Sequence, residues 1–140
     1  MIPRVIVALM ATAAALLAQT VTIVNTGSTN TSGFQIAVEK SGKAQYRQRR
    51  GAPQKLEKKI PAALAKRLYK DVKAARPLPA LPAPYCVKSA SFGTRTYIDF
   101  GSEESPDLSC GDAGDARLRD LIRDVDEIVA LFRNGSLPGE

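Results

Sequence analysis

Residues 115–135 read DARLRDLIRDVDEIVALFRNG, and this stretch decides the fold. Leu118, Leu121, Ile122, Val125, Ile128, Val129 and Phe132 recur at steps of three and four, which gathers them on one stripe of an α-helix. Asp112 or Asp115 is placed to cap its start and Asn134-Gly135 to end it. Arg123 and Glu127 stand one turn apart on the outer face, a pairing that contributes only a few tenths of a kcal/mol, about 0.2–0.5. A stripe this wide must be buried against a second layer, and truncation of Ile122 or Phe132 is expected to leave a costly cavity.

The second layer is read upstream. Val21 and Ile23 alternate with Thr20, Thr22 and Val24; Phe34, Ile36 and Val38 alternate with Gln35, Ala37 and Glu39. Period-two alternation puts one row of side chains on a core and the other in water. The polar run from Asn25 to Gly33 joins these strands, and Ser41-Gly42-Lys43 turns into a third strand, Ala44 to Arg50. Gly51 to Lys59 reads as a loop. Pro61 suits the first position of a helix in which Leu64, Leu68 and Val72 repeat every four residues. That helix ends at Arg76, because Pro77 disfavours helical geometry in the residue before it. Pro77, Pro79, Pro82 and Pro84 then make a stiff crossover whose leucines pack down. Val87 to Ser91 and Thr94 to Phe100 read as a hairpin around Phe92-Gly93. The reading is therefore α+β: a five-stranded, mostly antiparallel sheet in the order β-β-β-α-β-β-α, with two helices on one face.

The chain has 140 residues, enough for one small domain. Arg4 precedes an uncharged run from Val5 to Ala18, too short to span a membrane and of the size of a signal-peptide core. Residues 1–18 are thus expected to be a signal peptide, and 19–140 a single exported α+β domain, periplasmic or secreted, with no membrane span. In an oxidising compartment Cys86 and Cys110 form a disulfide. A loop of this size contributes roughly 3.5 kcal/mol in the chain-entropy treatment. Ser105-Pro106-Asp107 is a turn signal that delivers Cys110 beside Cys86.

The absence of histidine excludes His-dependent triads and His-ligated metal centres. Asp99-Phe100-Gly101 stands without any other kinase motif, and Gly42-Lys43 lacks the remainder of a phosphate-binding loop. The acidic loop does not follow EF-hand spacing. No catalytic residue, metal ligand or cofactor is assigned.

Charge is uneven. From Glu39 to Arg76 there are 13 basic and 3 acidic residues; from Pro77 to Glu140 there are 6 and 11. Lys43, Arg47, Arg49, Arg50, Lys55, Lys58 and Lys59 are expected to form a cationic patch with only Glu57 among them. Pairing between the basic and acidic halves is the competing account of these charges. The patch suits an anionic protein or cell-envelope component. Nucleic acid is not expected, since only Tyr46 and Tyr69 interrupt the basic run to stack bases. The functional expectation is a non-enzymatic binding or inhibitor-like module. The alternative is a small secreted hydrolase using Ser and Lys or carboxylates, with Asp99, Asp107 and Asp112 converging in a cleft.

Overall fold

A computed structural model describes residues 20–51 and 55–133. The expected leader and the Asn134-Gly135 helix stop lie outside them. The strands and α-helices of the described residues follow in order: β1 (Val21–Asn25), β2 (Phe34–Val38), β3 (Lys43–Gln48), β4 (Lys55–Lys59), α1 (Ala62–Ala75), β5 (Thr96–Phe100), β6 (Glu103–Glu104) and α2 (Ala116–Arg133). The sheet order is β4-β3-β2-β1-β5-β6, and every neighbouring pair is antiparallel.

The sheet thus has six strands rather than five, in the order β-β-β-β-α-β-β-α. Two strands are gained, Lys55–Lys59 and the short Glu103–Glu104 that pairs with the end of β5, and one expected strand is lost. Lys55–Lys59 is a strand, not a loop; its sequence KLEKK carries a single apolar side chain, Leu56, too little alternation to signal a strand alone. Its pairing with β3 makes it one. Conversely, Val87 to Ser91 pairs with nothing as a ladder. One edge of β5 is taken by β1, and the other by β6 and the segment after it.

That segment carries the Ser105-Pro106-Asp107 turn. The Ser105 Oγ accepts from the Ile98 N–H at 2.9 Å, and Asp107 Oδ1 accepts from the Thr96 N–H at 3.0 Å. Side-chain oxygens thus take the place of main-chain carbonyls as acceptors for the N–H groups of this β5 edge. The turn then delivers Cys110, and the Cys86–Cys110 disulfide is formed with Cα atoms 5.4 Å apart.

Both helices cover one sheet face. Val21, Ile23, Ile36, Val38, Ala44, Ile98 and Phe100 form a single buried cluster with Leu68 and Val72 of α1 and Leu118, Leu121, Val125, Ile128 and Phe132 of α2. Asp115 caps α2, accepting from the Arg117 N–H at 2.8 Å and the Leu118 N–H at 3.2 Å. Ile122 is only half-buried, so its truncation is expected to cost less than that of Phe132. Phe132 stacks on Tyr46, which stacks on Phe34, at centroid distances of 5.7 and 5.5 Å. Tyr69 closes the far end of the sheet. Its hydroxyl accepts from the Val21 N–H at 3.3 Å and donates to the Val38 carbonyl at 2.8 Å, bridging a cross-strand pair.

The proline crossover is anchored as its sequence suggests, with Leu78 and Leu81 buried. The β2–β3 turn requires Gly42. Its φ is 101°, and a Cβ there would lie 2.6 Å from the Ile60 carbonyl oxygen. Beside that contact the Ile60 N–H donates to the Gly42 carbonyl at 2.8 Å, which holds the chain leaving β4 against the turn.

Candidate functional site

Among the described residues no element packs on the sheet face away from the helices, and strand alternation sorts the expected patch between the two faces. Lys43, Gln45 and Arg47 of β3 point outward, opposite Lys59, Glu57 and Lys55 of β4. Lys43 directly faces Lys59, and Arg47 directly faces Lys55. The only carboxylate in these rows, Glu57, lies 3.6 Å from the Lys43 amine. Arg49 follows β3 and is exposed.

Two of the seven expected residues are engaged elsewhere. Lys58 faces inward beside Ala44; its amine donates to the Leu131 carbonyl at 2.7 Å and lies 5.9 Å from the Phe132 ring centroid. There it neutralises the carbonyl end of α2, where the helix dipole is negative. Arg50 clamps the loop between β1 and β2, donating to the carbonyls of Ser28 and Thr31. Lys43, Arg47, Arg49, Lys55 and Lys59 therefore make up the open cationic face. A depression of about 430 Å³ among Ser41, Lys43, Glu57, Lys58 and Lys59 lies at one end. Another of about 380 Å³, among Thr26, Gly27, Ser28, Arg49 and Arg50, lies at the other.

Pairing between the basic and acidic halves does occur, but through the helical cations. Arg67 binds Asp124 at 2.6 Å and Glu127 at 2.7 Å, and Arg76 binds Glu103. The i,i+4 contact between Arg123 and Glu127 is replaced: Arg123 turns to Asp71 at 3.2 Å and Asp124 at 3.3 Å. Among the described residues, no acidic side chain from Pro77 onward pairs with a cation of β3 or β4.

The opposite edge of the open face is acidic. Asp99 faces Glu104 across β5 and β6. Partial desolvation, and then the neighbouring Asp99 carboxylate, raise the Glu104 carboxyl above its ordinary range. The sheet face thus runs from cationic at β3–β4 to anionic at β5–β6.

The carboxylates weighed for hydrolysis have structural duties. Burial works to raise Asp107, but hydrogen bonds from the Ser109 hydroxyl, the Ser109 N–H and the Thr96 N–H outweigh it and hold the group below its usual range. Asp112 is also lowered, first by the Gly114 N–H, with Arg119 adding to it. Neither they nor Asp99 line the cavity of about 380 Å³ between α2 and the sheet. That cavity is walled by Phe34, Leu108, Ile122 and Val129, and its buried polar group, Asn25, is already used. The Asn25 amide donates to Thr94 and Thr96 and accepts from the Gly27 N–H. Among the described residues no group of three or more metal-ligating side chains occurs, and no helix is long and apolar enough to cross a membrane.

Asp124 was legible as an anomaly and was missed. It falls inside the apolar stripe of α2, three residues after Leu121, and is fully buried against α1. Burial, and then Asp71 facing it, push its carboxyl up to about 7 despite Arg67. Among the described residues no group donates a hydrogen bond to its Oδ2.

Comparison with protein-family models and with curated proteins finds no match. The functional reading therefore rests on the geometry of the described surfaces.

Proposed function

We propose that the protein is an exported, non-enzymatic binding module whose open sheet face takes an anionic partner, an acidic protein segment or an anionic cell-envelope component. One observation carries this reading: Lys43 opposite Lys59 and Arg47 opposite Lys55. Like charges directly opposite on a sheet destabilise it. Lysines on an edge strand discourage unwanted strand pairing, but that purpose needs charge on β4 alone. Doubling it on β3 adds self-repulsion, which a bound polyanion relieves. Arg47 and Arg49 offer planar forks for carboxylate or phosphate, while Lys43, Lys55 and Lys59 supply point charges.

The test is binding of fluorescent polyglutamate and of phosphatidylglycerol vesicles across a salt series. Affinity for one of them is expected to fall steeply between low and physiological salt, since exposed charges are screened beyond about 8–10 Å. Replacing Arg47, Lys55 and Lys59 by Glu should abolish that binding with the fold intact, because exposed substitutions usually shift stability by less than about 0.5 kcal/mol each. Binding that survives the triple replacement would refute the assignment.

A further inference from the structure

Tyr85, Val87 and Phe92 are the large apolar side chains left exposed among the described residues, at 87%, 87% and 70%, and they fall within eight positions of one another. The segment that carries Tyr85 and Val87 is extended, and Phe92 lies in the turn that follows. From Ala83 to Ser89 the side chains alternate between exposed and half-buried, so that Tyr85, Val87 and Ser89 point out while Cys86 and Lys88 point in. This is the conformation of a strand, yet among the described residues the backbone of residues 82–88 makes no hydrogen bond. Its carbonyls, and the N–H groups of Ala83, Tyr85, Cys86, Val87 and Lys88, have no backbone partner among the described residues.

The segment is nonetheless held firmly. Leu81 anchors one end in the core. At the other end the Ala90 and Ser91 carbonyls accept from the N–H groups of Thr29 and Asn30 at 3.4 and 3.1 Å, and the Gly93 N–H closes a turn on Ser89 at 2.7 Å. Gly93 is required there, since a Cβ would lie 2.5 Å from the Ser89 oxygen. Between these ends the Cys86–Cys110 disulfide ties the strand down from its inward side. Pro82 and Pro84 restrict the approach further. An extended segment with free main chain, outward side chains and its ordering already imposed by covalent and packing restraints is preorganised for recognition as a strand.

We propose that residues 82–89 form a substrate-mimicking strand that occupies the cleft of an aromatic-specific peptidase, with Tyr85 in its specificity pocket. Such clefts bind peptides extended, through main-chain hydrogen bonds, and accept an aromatic side chain in a hydrophobic slot. The bond after Tyr85 leads into tethered Cys86. A cut there would leave one half attached through α1 and the core and the other through the disulfide, so neither end could diffuse from the cleft. This surface is separate from the cationic sheet face, and the proposal does not depend on it.

The experiment follows hydrolysis of a small chromogenic substrate by chymotrypsin and by subtilisin as oxidised protein is added, with trypsin as control. Competitive inhibition of at least one of the first two is expected, at concentrations at least a hundredfold below those needed with a linear peptide of residues 82–92, and trypsin should be unaffected. Tyr85→Gly, at an exposed position, should weaken inhibition at least tenfold with an unchanged circular dichroism spectrum; Arg47→Glu should leave it unchanged. Undiminished hydrolysis by both enzymes in excess protein would overturn the proposal. So would cleavage after Tyr85 at the rate of the linear peptide, or full inhibition by Tyr85→Gly.

Discussion

Replacing Asp124 by Asn should remove a specific part of the protein's pH dependence. Asp124 is fully buried between α1 and α2, facing Arg67 and Asp71 on α1, with Asp120, Arg123 and Glu127 around it on α2. Burial and Asp71 oppose its charged form and prevail over Arg67, raising the carboxyl to about 7 from an ordinary value of 3.8. Between these values the folded protein holds a proton that the unfolded chain has released. Stability from this group is therefore full below about pH 4 and lost as pH rises towards 7. One proton corresponds to a slope of about 1.4 kcal/mol per pH unit, reached here between about pH 5 and 6. With a urea m-value of about 1–1.5 kcal/mol/M for a domain of this size, the unfolding midpoint should fall by roughly 1 M over that unit. Asn reproduces the protonated acid: its oxygen accepts from Arg67 and its amide donates to Asp71. Urea midpoints of Asp124→Asn at pH 5, 6, 7 and 8 should vary less than those of the parent, matching it at pH 5 and exceeding it at pH 8. Identical pH profiles for the two proteins would refute the reasoning.

Phe132→Ala should cost roughly 3–5 kcal/mol in a denaturant melt, from the cavity and the lost stack on Tyr46, whereas half-buried Ile122→Ala should cost less than half as much. Lys58→Ala should destabilise by about 1–2 kcal/mol, through the lost charge-assisted bond to Leu131 and the lost packing on Phe132; Lys55→Ala, on the other face of the same strand, should change stability by less than about 0.5 kcal/mol. At acid pH, Asp115, lowered to about 2 chiefly by Arg117, and Asp107 and Asp112, also lowered, contribute stability that is present above pH 4 and lost as pH falls through their folded values. Asp115→Asn should flatten the part of the profile that falls between pH 4 and 2, read by the same melts.

The two helices, the first three strands, β5 and the Cys86–Cys110 pair were legible from residue order. The apolar stripe of α2 repeats at helical spacing, β1 and β2 alternate cleanly, and two cysteines have one way to pair. The turn at Ser105-Pro106-Asp107 was legible as a turn, though not as the cover of an open strand edge. Tertiary structure decided the remainder, through pairings between segments distant in sequence. KLEKK is a strand because β3 offers it an edge, and Val87–Ser91 has no ladder because β5 has none left to offer. The same pairing sorts the cations: one residue of offset sends Lys58 to the end of α2 and leaves Lys55 and Lys59 in water. Composition shows how many charges the chain carries, but only the register of β3 against β4 determines which of them face one another.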